Sequence, residues 1–120
     1  MIYADTDFFL ALLKPNDRLR DSAVMLYEQH KGQITTSLIT FIELMLLAKR
    51  YSLDPVRLTS SVMSICNIDD GRLLKAAIFI RDGVGVFDAF HAAYCNCKII
   101  SSDDVYDKLG IERVRLASDT

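Results

Sequence analysis

Residues 1–13 read MIYADTDFFLALL: an apolar tetrad, an acid at Asp5, and an apolar run of helical length that Pro15 stops. A strand covered on both faces is apolar without alternation, and a helix that follows it directly needs a capping side chain at the junction. Residues 1–4 therefore read as a buried strand and Phe8 to Leu13 as a short helix, the opening of an α/β chain. The same alternation continues outward. Asn16 or Asp17 caps a helix with Leu19, Ala23, Leu26 and Tyr27 on one face, and Gly32 ends it. Residues 33–35 form a weak strand, after which Thr36 or Ser37 caps a strongly apolar helix that runs to about Arg50. Asp54-Pro55, a cap followed by proline at the first helical position, starts a helix with Leu58, Val62 and Ile65 on one face. Asp69 or Asp70 starts another, whose LLKAAIFI is apolar nearly all round and points to burial on two sides or to a subunit interface. Asp82-Gly83 makes a turn, residues 86–96 a helix, 98–101 a strand, 105–109 a short helix and 113–116 a last strand. No repeat or linker interrupts this pattern, so residues 1–120 are expected to form one α/β domain.

Composition narrows the possibilities. The 120 residues hold 14 Lys+Arg against 16 Asp+Glu, a net charge of −2, with 51 % apolar residues and a mean hydropathy of +0.19. This excludes disorder, and no apolar run approaches the ~18 residues of a membrane span. Asp5 and Asp7 interrupt the N-terminus where a signal peptide would be basic and then apolar, so a cytoplasmic protein is expected. Cys66, Cys95 and Cys97 read as reduced thiols. The longest basic run is Lys49-Arg50, so a bound polyanion must be held by a local patch or a metal ion. Arg18, Arg20, Lys49, Arg50, Lys75 and Arg81 are candidates for that patch, though solvated helix faces carry such charges by default.

The acids are lopsided, 13 Asp to 3 Glu. Caps account for about half of the aspartates, and four acids stand apart. Asp5 and Asp103 each follow a strand directly, at the edge where parallel α/β sheets bind ligands, although each also suits the start of the next helix. Glu43 is the only ionisable residue between Phe41 and Ala48. It shares a polar stripe with Thr36 and Thr40, and burial there demands a partner, a proton or a cation unless the stripe leads to solvent. Asp88 lies in the first turn of its helix, where the dipole favours an acid, and Ala89, Ala92 and Ala93 allow close packing beside it. Converging these four acids would cost roughly 4 kcal/mol for each pair about 4 Å apart at an effective dielectric near 20, which a hard dication such as Mg²⁺ or Mn²⁺ cancels.

Four segments, YADTDFFLALL, TSLITFIELMLLA, FDAFHAAYC and IISSDDVYDKLGIERV, together resemble the PIN-domain nucleases, and most of all the VapC-type toxins of toxin–antitoxin pairs. The resemblance covers nearly the whole chain. It implies a three-layer α/β/α fold with a short, mainly parallel central sheet. It also implies a metal-dependent endoribonuclease that hydrolyses RNA phosphodiesters at a four-carboxylate Mg²⁺ or Mn²⁺ site. Carried over by position, Asp5, Glu43, Asp88 and Asp103 are the first to fourth acids. Asp5, Asp88 and Asp103 would be metal ligands, and Glu43 would bind through water or act as base. Thr6 and Ser101 match the hydroxyl residues beside the first and last acids. Asp7 departs from the family's usual Ser or Asn, as a second-metal ligand or, preferably, a helix cap, and Asp104 leaves the fourth acid ambiguous by one residue. The resemblance further implies a homodimer and an antitoxin protein as partners.

Three rivals share parts of this pattern. A haloacid-dehalogenase-like phosphatase would use the D-x-D of Asp5 and Asp7, but Phe9 is wrong for it and Glu43 and Asp88 would be idle. A non-catalytic PIN-like module binding RNA or protein needs no acids, yet all four are present. A zinc site from His91, Cys95 and Cys97 lacks a fourth ligand.

Overall fold

Aspartate sets most of the helix starts in a computed structural model that describes residues 1–118. The chain runs β1 (Ile2–Tyr3), α1 (Thr6–Leu13), α2 (Arg20–His30), β2 (Ile34–Thr35), α3 (Leu38–Arg50), α4 (Pro55–Cys66), α5 (Gly71–Arg81) and α6 (Val86–Tyr94). It ends with β3 (Lys98–Ser101), a 3-10 turn (Asp104–Leu109) and β4 (Glu112–Arg115). Asp54 accepts the Val56 and Arg57 amides at 2.9 and 3.3 Å, with Pro55 in the first helical position. Asp70 accepts the Arg72 amide at 3.1 Å and clasps its guanidinium at 3.0 and 2.8 Å. The guanidinium beside it holds the Asp70 carboxyl below the ordinary carboxylate range. Caps of this kind are each worth about 1 kcal/mol.

Three helix starts differ from expectation, the first being α1, which opens at Thr6 rather than Phe8 because Asp5 caps it. Asp17 accepts the Leu19 amide in a turn one step early, so α2 opens at Arg20 behind Leu19, which has no capping side chain. Ser37 occupies the cap of α3 without a side-chain bond. Thr36 serves instead: its hydroxyl donates to the Ala4 carbonyl at 3.0 Å and lies 2.8 Å from the Thr40 hydroxyl, tying α3 to the end of β1.

The main core joins Phe9 of α1, Ile34 of β2, Phe41, Leu44 and Met45 of α3, and Leu58 and Val62 of α4 with Leu73, Ala76 and Ala77 of α5 and Phe90 and Ala93 of α6. A smaller core joins Ala92 to Tyr106 and Ile111, with Phe79, Ile99, Val105 and Leu109 packed against it. The nearly all-apolar α5 is thus buried on two sides, through Leu73 and Ala77 on one and Phe79 on the other. Consecutive alanines of α6 also face different cores. Only Ala23 of α2 is buried, and Leu19 and Leu26 of its expected apolar face are exposed.

Every strand pairing is parallel, and helices flank the strands, in keeping with α/β/α layering. The strand layer, however, is divided. β1 pairs with β2 in the register Ile2↔Ile34 and Tyr3↔Thr35. β3 pairs with β4 from Lys98↔Glu112 to Ser101↔Arg115, and among the described residues no ladder joins the two pairs. The first strand is consequently not buried as its composition predicts: Ile2 is 46 % and Tyr3 56 % exposed. The shape is correspondingly long. The principal extents are 59 × 27 × 21 Å and the radius of gyration 16.6 Å, against about 14 Å for a compact chain of this length.

The three cysteines are free thiols, as expected. Burial pushes the Cys66 thiol up to about 11, whereas Cys97 is exposed. A maleimide at pH 8 is therefore expected to label Cys97 within minutes and to spare Cys66 until the protein unfolds. Peptide mass mapping checks this, and early labelling of Cys66 would contradict its burial.

Candidate active site

The four acids come in two pairs, each beside the carboxyl end of a parallel strand pair. In the first, Asp5 ends β1 and caps α1, its Oδ1 accepting the Thr6 amide at 2.6 Å. The Thr6 side chain, only 5 % exposed, turns the other way and donates from its hydroxyl to Glu43 Oε1 at 2.9 Å. One threonine thus links an acid of α1 to an acid of α3. Glu43 is itself exposed, so the polar stripe of α3 leads to solvent: Thr40 is buried beneath it and Thr36 half-buried. The burial penalty that composition raised for Glu43 does not arise.

The second pair surrounds Tyr106. Asp88, half-buried in the first turn of α6, accepts from the Tyr106 hydroxyl at 3.4 Å. Asp103 caps the 3-10 turn, its Oδ1 accepting the Val105 amide at 3.0 Å while its own amide donates to Ser101 Oγ at 3.0 Å. Burial, then the charge of Asp88 and more weakly that of Asp103, raises the Tyr106 phenol above its ordinary value. Tyr106 therefore remains a neutral donor to Asp88 at physiological pH. Arg113 of β4 secures this half, forking onto Asp107 at 3.1 and 3.0 Å and reaching the Ser101 carbonyl at 3.3 Å.

Asp5 and Asp103 have matching placements, each capping the helical turn that follows a parallel strand. Both residues are caps, and both stand just past the carboxyl end of a strand. Asp103 rather than Asp104 has this geometry, and Asp104 is the first residue of the 3-10 turn. Asp7 does not cap: it sits exposed in the first turn of α1, where the dipole favours it, while Asp5 takes the cap. Tyr106 and Arg113 escaped the sequence reading, since nothing local in VYDKL or ERV marks a partner 18 or 12 residues away.

The two halves are not joined into one ligand set. Among the described residues no three Asp, Glu, His or Cys side chains are grouped so as to hold a metal ion, and His91, Cys95 and Cys97 are no exception. Mg²⁺ and Mn²⁺ require several oxygen ligands around one point. One copy of the chain thus supplies the donor types for such an ion without gathering them.

Parallel strands whose carboxyl ends carry acids and hydroxyls place the chain among α/β proteins with a polar strand edge. The family is specific: a PIN domain model matches residues 2–112, and the chain belongs to the PIN domain family. PIN domains generally form a metal-dependent nuclease fold. No curated protein and no solved structure gives a significant match. No helix among the described residues is long and apolar enough to cross a membrane.

Proposed function

We propose that this chain is a cytoplasmic, metal-dependent endoribonuclease, a single PIN domain over residues 1–120 that hydrolyses RNA phosphodiesters and acts as the toxin of a VapC-like toxin–antitoxin pair. The observation that carries the reading is the pairing of acids at the strand ends. Asp5 with Glu43, and Asp88 with Asp103, occupy the positions of the family's four acids. Thr6 meets both acids of the first pair, its amide donating to Asp5 and its hydroxyl to Glu43, and the Tyr106 hydroxyl donates to Asp88 in the second. Asp5, Asp88 and Asp103 are the proposed ligands of Mg²⁺ or Mn²⁺. Glu43, exposed and held only through Thr6, is free to meet a water molecule as base or through-water ligand. Thr6 and Ser101 are supporting residues that orient the acids beside them. Asp7 and Asp104 add charge at the rim.

Exposed apolar side chains on α2 and the start of α3 suit a protein partner, in this reading the antitoxin. Val24, Met25 and Leu26 are 40, 58 and 43 % exposed, and Ile39 is 65 % exposed. A homodimer is part of the same proposal.

One observation favours a second reading, a non-catalytic module that binds RNA or protein: within one chain no three acids gather among the described residues. The two readings separate on an unstructured RNA labelled at both ends. The nuclease is expected to cleave it with millimolar Mn²⁺ or Mg²⁺ and to stop in excess EDTA. Binding without cleavage would establish the module, and cleavage in EDTA would overturn the metal.

A further inference from the structure

We infer that the groove formed by the ends of α3 and α5 and the turn into α6 holds one nucleotide of a single-stranded RNA, its phosphate on Lys49 and Arg81 and its base against the apolar floor. The groove thereby anchors the strand to one side of Asp88. Its place in the reaction rests on the nuclease reading above; its hold on RNA does not.

Six basic residues were candidates for a local patch, and the fold brings two of them to one groove. Leu46 and Lys49 of α3 line it together with Ile80 and Arg81 of α5, and Val84 and Gly85 close one wall. Its volume is about 400 Å³, within the roughly 300–1,000 Å³ of sites that take small organic ligands. No carboxylate lines it among the described residues, whereas the hollow at the start of α5 sets Asp70 beside Arg72 and Lys75.

Both cations are uncommitted. Lys49 enters no ion pair among the described residues. Arg81 holds the neighbouring Asp82 through Nε alone, at 3.1 Å, and its two terminal nitrogens have no partner among the described residues. That pair is exposed and screened by water, so a phosphate can take the free side of the guanidinium. The helix dipole favours a cation in the last turn of α3 and of α5. It does not ask for an apolar floor open to water beside both, and Leu46 is 46 % exposed. A nucleotide meets both halves of the groove, since it joins an anionic head to a flat body with apolar faces. An apolar protein segment seated there would strip water from two cations and return no partner. The floor of Leu46, Ile80 and Val84 has no hydrogen-bonding side chain, so it holds a base without reading it, and that base must be unpaired to reach it.

The groove adjoins the acids on two sides. A methyl group placed on Gly85 would stand 3.7 Å from Asp88 Oδ2, so the wall of the groove is within contact range of that carboxylate. On α3, Glu43, Leu46 and Lys49 follow one another at intervals of three and all are exposed. Residues so spaced are neighbours on a helix surface, and the acid therefore leads along accessible side chains to the cation. An RNA strand seated in the groove is thus delivered beside one acid of each pair.

The probe is an unstructured, fluorescein-labelled decauridine in Mg²⁺. Where wild type cleaves it, initial rates give KM and kcat; where it does not, anisotropy gives Kd. Lys49→Ala combined with Arg81→Ala is expected to raise KM or Kd about tenfold, with kcat within about twofold and the melting temperature unchanged, because the groove binds without taking part in the chemistry. The slope of log Kd or log KM against log salt is expected to fall by about 1.4, the share of two phosphate contacts on a single strand. Lys49→Arg combined with Arg81→Lys keeps both charges and is expected to stay within about threefold of wild type, as is Lys75→Ala outside the groove. A rise below about threefold in the double alanine variant, or an equal rise in Lys75→Ala, overturns the groove and, with wild type active, leaves the nuclease standing. A larger rise in Kd with a wild type that never cleaves upholds the groove and counts against the nuclease alone. A wild type that neither cleaves nor binds the probe overturns both.

Discussion

Asp5→Asn is expected to abolish metal-dependent RNA cleavage, by at least about a hundredfold, while leaving the fold and its melting temperature nearly unchanged. The two effects separate because Asp5 has two employments. Its Oδ1 caps α1 through the Thr6 amide at 2.6 Å, and an asparagine oxygen caps equally well. Its charge meets no cation: the side chain is exposed and no salt bridge involves it among the described residues. Removing the charge and keeping the acceptor therefore tests the ligand role alone. Cleavage rates with Mn²⁺ beside a thermal melt decide it, and cleavage within about tenfold of wild type would sink the assignment of Asp5.

Leu44→Ala is expected to cost about 3 kcal/mol of stability and to lower the melting temperature by roughly 10 °C. Leu44 is 0 % exposed and stands on α3 one residue after Glu43, with its side chain in the main core beside Phe41 and Met45. The packed neighbours cannot collapse into the space, because α3 is tied at its start by Thr36 and Thr40 and at Glu43 by Thr6. The loss is read from urea unfolding, and a cost below about 1 kcal/mol would mean that this core is looser than its burial indicates.

Much of the fold is written locally. Residues 98–101 are a strand as the run KIIS predicts, and α4 begins where Asp54-Pro55 places it. Asp70 and Asp103 cap their helical turns for the same reason: a short carboxylate reaches the amide two residues on. The α2 start was less legible, since Asn16, Asp17 and Leu19 all precede it and the choice depends on how the turn after Pro15 lies. The placement of Glu43 could not be read either. A polar stripe of Thr36, Thr40 and Glu43 is the same in sequence whether it lines a sealed pocket or opens to water. Least legible was the division of the strand layer. An apolar tetrad such as MIYA says that both faces of a strand are to be covered, and says nothing of which other strands it will join.

The divided use of α6 has a further consequence. Ala92 and Ala93 are neighbours in sequence, yet one touches the smaller core and the other the main one. The β3–β4 arm, with Asp103 at its tip, packs on the body through Phe79 of α5 and through α6, where Ala92 meets the smaller core and Ala93 the main one. The small volume of the two alanines lets the arm, and Asp103 with it, sit close to the body. A bulkier side chain at either alanine is expected to push the arm outward without touching one acid, so these two unreactive residues gauge how far Asp103 stands from the body.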